Sequence, residues 1–220
     1  MTDKFEFYDI LSILIPGTLL LALMSIGFPA LAIRFTAVKF PEAFGVICLV
    51  ALAVFMGQVV QAISSLIEPL LEWTWGGRAS EKALRKGLGT RYLPADTAKR
   101  IKQKLAGCVG SAESDRSLFL YAMQRAETSG NSRVAKFNGL YAYHRAMFTL
   151  LLIGIVVLVA AMRWGGLSQW PTKEKIETLV GGVVLLLIIW RRAKQRGFYY
   201  VREVLSTTEQ LIDSQQKVAK

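Results

Sequence analysis

Four runs of the chain carry no charged side chain: Ile10 to Ile33, Ala43 to Ile67, Ala146 to Met162 and Thr178 to Trp190. A hydrocarbon core about 30 Å thick is crossed by roughly 20 apolar residues of helix, so the first two runs span outright and the third with slight help. The fourth is short. It becomes long enough when its helix begins at Pro171, a favoured first-turn residue, with Lys173, Glu174, Lys175 and Glu177 at headgroup level and the lysines reaching outward. The third run continues a polar, aromatic-rich lead-in from Asn131 without any proline. Residues 131–164 therefore predict one helix of about 50 Å that starts in water and enters a bilayer.

Between the second and third runs the pattern changes to short amphipathic segments. Ser80 is the expected cap of a helix through Lys86 that stops near Gly87 or Gly89. Asp96 is the expected cap of a second, with Ala98, Ile101 and Leu105 at helical spacing before Gly107, and Gly110-Ser111 is expected to break the chain. Ser114 opens a third, ending at Gly130. Beyond Trp190, Val201, Leu205, Thr208, Ile212 and Gln215 form a stripe of roughly 3.5-residue period on a helix from Phe198, which suits packing on the loop domain or on another copy. No strand pattern and no repeat is visible. The expected fold is all-α: a four-span transmembrane protein with a small basic helical domain between spans two and three and a C-terminal amphipathic helix. Its parts are residues 1–71 (first helix pair), 72–130 (helical domain), 131–190 (second pair) and 191–220 (tail).

Charge orients this arrangement. With 53% hydrophobic residues and a formal net charge of +11, apolar and charged positions are segregated. Lys and Arg number one before the first span, two between the first and second, 14 from Glu72 to Arg145, three between the third and fourth, and seven after Trp190. The positive-inside rule places the middle segment and both termini in the cytoplasm of a bacterial inner-membrane, multi-pass protein. Trp73, Trp75 and Trp190 then fall at the inner boundary, Trp164 and Trp170 at the outer one. A cleaved leader is the competing reading of the N-terminus, since Ala30-Leu31-Ala32 has the small-x-small form. Lys4 against Asp3, Glu6 and Asp9 is the wrong sign for a leader's n-region.

Candidate chemistry is sparse. One histidine, His144, and two separated cysteines, Cys48 and Cys108, give no metal-ligand spacing, no disulfide framework and no nucleophile with its base. Gly76-Gly77, Gly165-Gly166 and Gly181-Gly182 fit no phosphate loop, and the last suits a close helix contact in the membrane. The chain reads as non-enzymatic, with no cofactor expected. Two features remain. Gln58, Gln61, Ser65 and Glu68 are spaced three, four and three and so share one face of span two, either as interhelical glue or as the lining of an aqueous path. Pro16-Gly17 in span one reads as a fixed bend or a hinge. The middle segment carries +8, with Lys99, Arg100, Lys102 and Lys104 on one helix. These, with Arg191 and Arg192 after span four, are the candidate surface for anionic lipid or an acidic cytoplasmic protein; nucleic acid is disfavoured by the lack of a stacking platform.

Phe7-Tyr8-Asp9 leading to Ile15-Pro16-Gly17, and Phe137, Tyr141 and Arg145 at the entry to span three, resemble small bacterial four-span proteins carried beside anti-phage defence genes, of which the Kiwa membrane subunit is an example. The resemblance implies a homo-oligomeric inner-membrane sensor that holds a cytoplasmic effector. Two functions are thus expected from different classes: a scaffold or sensor recruiting an effector through its basic inner face, and an oligomeric pore lined by the polar face of span two. A secondary transporter is a third, disfavoured by the lack of an inverted repeat.

Overall fold

A computed structural model describes residues 6–30, 33, 41–109 and 114–218 of the chain, except for the side chains of residues 6–9, 11, 42 and 218. The expected break at Gly110-Ser111, the charges Asp3 and Lys4, and the basic residues Arg34 and Lys39 between the first two apolar runs lie outside the described residues, as do the side chains of Phe7, Tyr8 and Asp9. The described chain is helical: α1 Glu6–Gly27, α2 Glu42–Thr74, α3 Ala79–Lys86, α4 Ala95–Val109, α5 Asp115–Thr128, α6 Ser132–Trp164 and α7 Thr172–Val218. Two of these, α2 and α6, are long and apolar enough to cross a membrane, while the described apolar part of α1 is shorter, Ser12–Gly27.

Helix α1 packs on both α2 and α6, and α2 also packs on α6. The α1–α2 crossing is set by Gly17 and Gly57. A methyl group built at Gly17 would overlap the carbonyl oxygen of Ala53, and one at Gly57 that of Ile13, so the two backbones touch where neither residue has a side chain. Leu20, Val60, Ala146 and Leu150 close the space around this crossing. At the other end of the bundle Gly165 lies against Gly27, whose carbonyl accepts a 2.9 Å bond from the Gly166 amide. The expected close contact at Gly181-Gly182 is not where the helices meet. Gly181 faces open space, and a methyl group added at Gly182 would make only an ordinary contact with Ile155, at 3.6 Å.

The fourth apolar run and the tail stripe belong to one uninterrupted helix of 47 residues, α7, in place of a span plus a separate helix from Phe198. No proline lies between Trp190 and Val218, and at Gly197, the one glycine there, an added methyl group would stand tight against the rings of Tyr141 and Trp75, at 3.2 and 3.4 Å. The tail half of α7 supplies Phe198, Val201, Val204, Leu205 and Ile212 to a core shared with α3, α4 and α5. The stripe thus packs onto the loop domain of its own chain. Gln215 at its end accepts a hydrogen bond from Arg125 of α5.

Local signals were mostly placed correctly, with three shifts. Ser114 caps α5, accepting from the Ser117 amide at 3.1 Å, and Asn131 caps α6. Ser80 does not cap α3: the helix begins one residue earlier, at Ala79, with Arg78 preceding it and no side-chain cap. Asp96 sits inside the first turn of α4, where Pro94 has already set the entry, and the helix runs through Gly107 to Val109. Trp75 is a core residue, 3% exposed and packed with Leu71 and Ala193, so it does not sit in an interfacial belt as Trp73, which is 74% exposed, can.

Candidate functional site

The polar face predicted on α2 is divided. Gln61 and Glu68 turn toward neighbouring helices, whereas Gln58 and Ser65 are exposed on the outside of the monomer. The residue that faces inward beside Gln61 is Ser64, fully buried. Pro16 explains the Gln61 position. A proline has no amide hydrogen, so residue 16 cannot donate to the carbonyl of residue 12, one helical turn earlier. Gln61 Nε2 donates to that Ser12 carbonyl at 3.0 Å. Gln61 therefore supplies the donor that Pro16 lacks and completes the backbone bonding of α1. Ser65 Oγ bonds the Gln61 carbonyl of its own helix at 3.1 Å.

Glu68 belongs to a polar knot nearly two turns before α2 ends. Arg145 of α6 pairs with Glu68 and donates its Nε to Ser64 Oγ at 3.1 Å, and Tyr141, one turn earlier on α6, donates its hydroxyl to the other Glu68 oxygen at 2.9 Å. The guanidinium also lies 5.5 Å from the centre of the Tyr141 ring. The pair is partly enclosed, with side-chain exposures of 14% for Arg145 and 30% for Glu68. Directly beneath it is a cavity of about 150 Å³ bounded by Glu68, Glu72, Trp75, Tyr141, Gly197 and Tyr200. The walls come from α2, α6 and α7 and, through Ala79 and Phe119, from α3 and α5. The knot thus stands where the apolar bundle meets the helical domain. Two opposite charges, one just before Pro69 and one just before an uncharged run, were the sequence signal for it.

The basic residues proposed as a partner surface have mixed fates. Arg100 and Lys104, one turn apart on α4, face Glu209 and Asp213, one turn apart on α7. Arg100 Nε lies 2.9 Å from Glu209, and Lys104 Nζ lies 2.9 Å from Glu209 and 2.7 Å from Asp213. Lys102 pairs with Asp115 at 2.6 Å. These three are tied to carboxylates of the same domain, although the Arg100 side chain is still 60% exposed. Burial pushes the Glu209 carboxyl upward, but the hydrogen bonds from Arg100 and Lys104 outweigh it and hold the group below its ordinary value. Lys104 is raised by the hydrogen bonds it donates, to Asp213 first and then to Glu209. Lys99 is exposed and makes no ion pair among the described residues, and Arg85, Lys86 and Arg91 around the α3–α4 turn are like it. Arg191 is exposed, and Arg192 reaches only Gln195, at 3.4 Å.

Among the described residues no group of three or more His, Cys, Asp or Glu side chains could hold a metal ion, and Cys48 and Cys108 are free thiols. His144 Nδ1 is engaged with the Leu140 carbonyl at 2.7 Å, and its ring meets Tyr143 edge-on. No family model matches the chain, and no curated protein or solved structure is significantly similar to it. Function has to be argued from the arrangement itself.

Proposed function

We propose that the protein is a non-enzymatic, four-span inner-membrane sensor or scaffold, in which the state of the spans is passed to a cytoplasmic helical domain that recruits an acidic protein effector. The observation that carries this reading is the continuity of α7. One rigid helix has an apolar half exposing Val180, Val184, Leu187 and Ile188, and a second half that is the central core element of the domain. Exposed large apolar side chains along α2, α6 and the first half of α7 are what a lipid-facing belt requires. They support counting α7 as a span although its uncharged run is short. A tilt or shift of α7 in the membrane displaces Val201, Leu205 and Ile212 directly, because nothing in the helix absorbs it.

The recruiting surface is the unpaired set Arg85, Lys86, Arg91 and Lys99, which lie at the α3–α4 turn or within one turn of it. The neighbouring Arg100 and Lys104 are already neutralised by α7. Gln58, exposed at membrane depth with no hydrogen-bond partner among the described residues, is a position at which a second copy would be held, since an amide in a bilayer seeks a partner. The likeness of the entry motifs to membrane proteins of defence loci points the sensor toward anti-phage defence. The test is purification of the full chain from native membranes, with Arg85, Arg91 and Lys99 changed to Glu. Loss of a stoichiometric cytoplasmic protein, with membrane insertion intact, is expected. A partner retained after the reversal, or none with the unaltered chain, overturns the reading. A pore is the second reading, favoured by the outward position of Gln58 and Ser65. It loses Gln61, which is occupied by Ser12.

A further inference from the structure

The α6–α7 seam has a fixed antiparallel register. Arg133 meets Glu203 at 3.1 Å, and Phe137 stacks on Tyr199 with ring centres 5.8 Å apart. Each step of four along α6 is matched by a step of about four back along α7, so Leu140 lies opposite Arg196 and His144 opposite Arg192. The seam therefore ends, toward the membrane, in three nitrogen-rich side chains. None has a carboxylate within ion-pair distance among the described residues: Glu203 is taken by Arg133 and Glu68 by Arg145. Arg196 is the least satisfied of the three. Its Nε is enclosed in protein and finds no hydrogen-bond partner, a state that is costly for a charged group. His144 uses Nδ1 on Leu140, which leaves Nε2 open.

The depth and the surroundings say what fits there. Arg192 follows Trp190, whose indole bonds Thr74 at 2.8 Å, and His144 precedes the uncharged run that starts at Ala146, so the cluster sits where span meets cytoplasm. Steps of four from Arg192 lead to Ile188 and then Val184, 51% and 50% exposed and each one turn deeper along α7. One helix face thus offers cationic groups and then, moving into the membrane, an open apolar track. That is the order of headgroup and acyl chain in a phospholipid.

We propose that His144, Arg192 and Arg196 bind the phosphate of an anionic phospholipid of the cytoplasmic leaflet, with its acyl chain along Ile188 and Val184. The guanidinium groups supply paired donors to phosphate oxygens, and the imidazole adds a donor when protonated. The site rests on the membrane reading above, since a soluble α7 would have no leaflet beside it. A lipid held here pins α7 against α6 one turn from the Glu68–Arg145 knot, so its presence bears on how α7 moves.

The test uses the full chain in mild detergent, with native mass spectrometry of bound lipid after addition of phosphatidylglycerol, phosphatidylcholine or inorganic phosphate. Phosphatidylglycerol is expected to be retained over phosphatidylcholine, with occupancy falling about fivefold for Arg192→Gln and again for Arg196→Gln, and surviving Lys99→Gln. Arg196→Lys should keep part of the preference. Arg192 is exposed, so its variant is expected to fold even if the Arg196 variants do not. Equal retention of both lipids, or unchanged binding in Arg192→Gln, overturns the site. Displacement of the lipid by millimolar inorganic phosphate overturns the lipid as its occupant. A chain that does not insert into membranes at all overturns the membrane reading itself, which separates the two failures.

Discussion

Replacing Gln61 by Leu tests whether the polar residue in α2 is there for Pro16. The Ser12 carbonyl is buried, with its residue 4% exposed, and the 3.0 Å bond from Gln61 takes the place of the amide that Pro16 lacks. Stranding a buried acceptor costs roughly 1–3 kcal/mol, while side-chain hydrogen bonds between membrane helices average about 0.6 and reach about 1.7. A loss of about 1–2 kcal/mol is therefore expected for Gln61→Leu in the native background. Pro16→Ala returns an amide hydrogen one turn after Ser12, and α1 can then bond its own carbonyl. In that background Gln61→Leu should cost no more than about 0.5 kcal/mol. Whatever the loss of the buried proline ring costs cancels between the two arms of the cycle. The assay is reversible unfolding in mixed micelles, followed by the fluorescence of the five tryptophans. A Gln61→Leu penalty equal in the two backgrounds to within about 0.3 kcal/mol would refute the reasoning. Gln61 would then have another task, and the pore reading would regain it.

Three further outcomes are expected. Gly57→Ala should part α1 from α2 and cost at or above the upper end of the roughly 1–3 kcal/mol typical of overpacking, whereas Gly181→Ala, facing open space, should be neutral or slightly stabilising in the same unfolding assay. Glu68→Gln and Arg145→Gln should each destabilise strongly and couple by more than about 1 kcal/mol in a double-mutant cycle, since removing one partner leaves a partly enclosed charge; simple additivity would count against the knot. Glu209 is held below its ordinary value, so its contribution is fully present above the unfolded carboxylate range and is lost as pH falls through the folded value. Acid below about pH 4 should therefore loosen α4 from α7, read as faster amide exchange in α4, and Glu209→Gln should remove that pH dependence.

Much of the architecture was legible in local pattern, and most of what was missed depends on contacts across more than 40 residues. The second, third and fourth uncharged runs lie within helices and the first begins in one, the cap at Ser114 is used as read, and the Val201 to Ile212 stripe found the apolar faces of the loop domain. Spacing alone, however, could put Gln58, Gln61, Ser65 and Glu68 on one face of α2 without saying which edge of that face would touch α1. The close approach at Gly17 and Gly57 rotates α2 so that Ser64 turns in and Ser65 out. Arg100 and Lys104 read as a free basic patch because their acidic partners lie more than 100 residues later. The matching four-residue spacing of Glu209 and Asp213 was the available clue. Gly181-Gly182 misled for the opposite reason: small residues permit a contact but do not create one, and here no helix comes to meet Gly181. The continuity of α7 was missed because a charged run, Arg191 to Arg196, was taken as a boundary. Charge ends a span, but it does not end a helix.

The most direct test of the membrane-anchored sensor uses Cys108, an exposed native thiol on α4, against Cys48, which is half-buried on α2. A membrane-impermeant maleimide is applied to intact spheroplasts and to inverted membrane vesicles carrying the unaltered chain, and labelling of Cys108 is read by mass spectrometry. Labelling only in the inverted vesicles is predicted, because the proposed orientation puts the domain built from α3, α4, α5 and the second half of α7 on the cytoplasmic side. Labelling of Cys108 from the outside of intact spheroplasts, or recovery of the chain in the soluble fraction, would contradict the account.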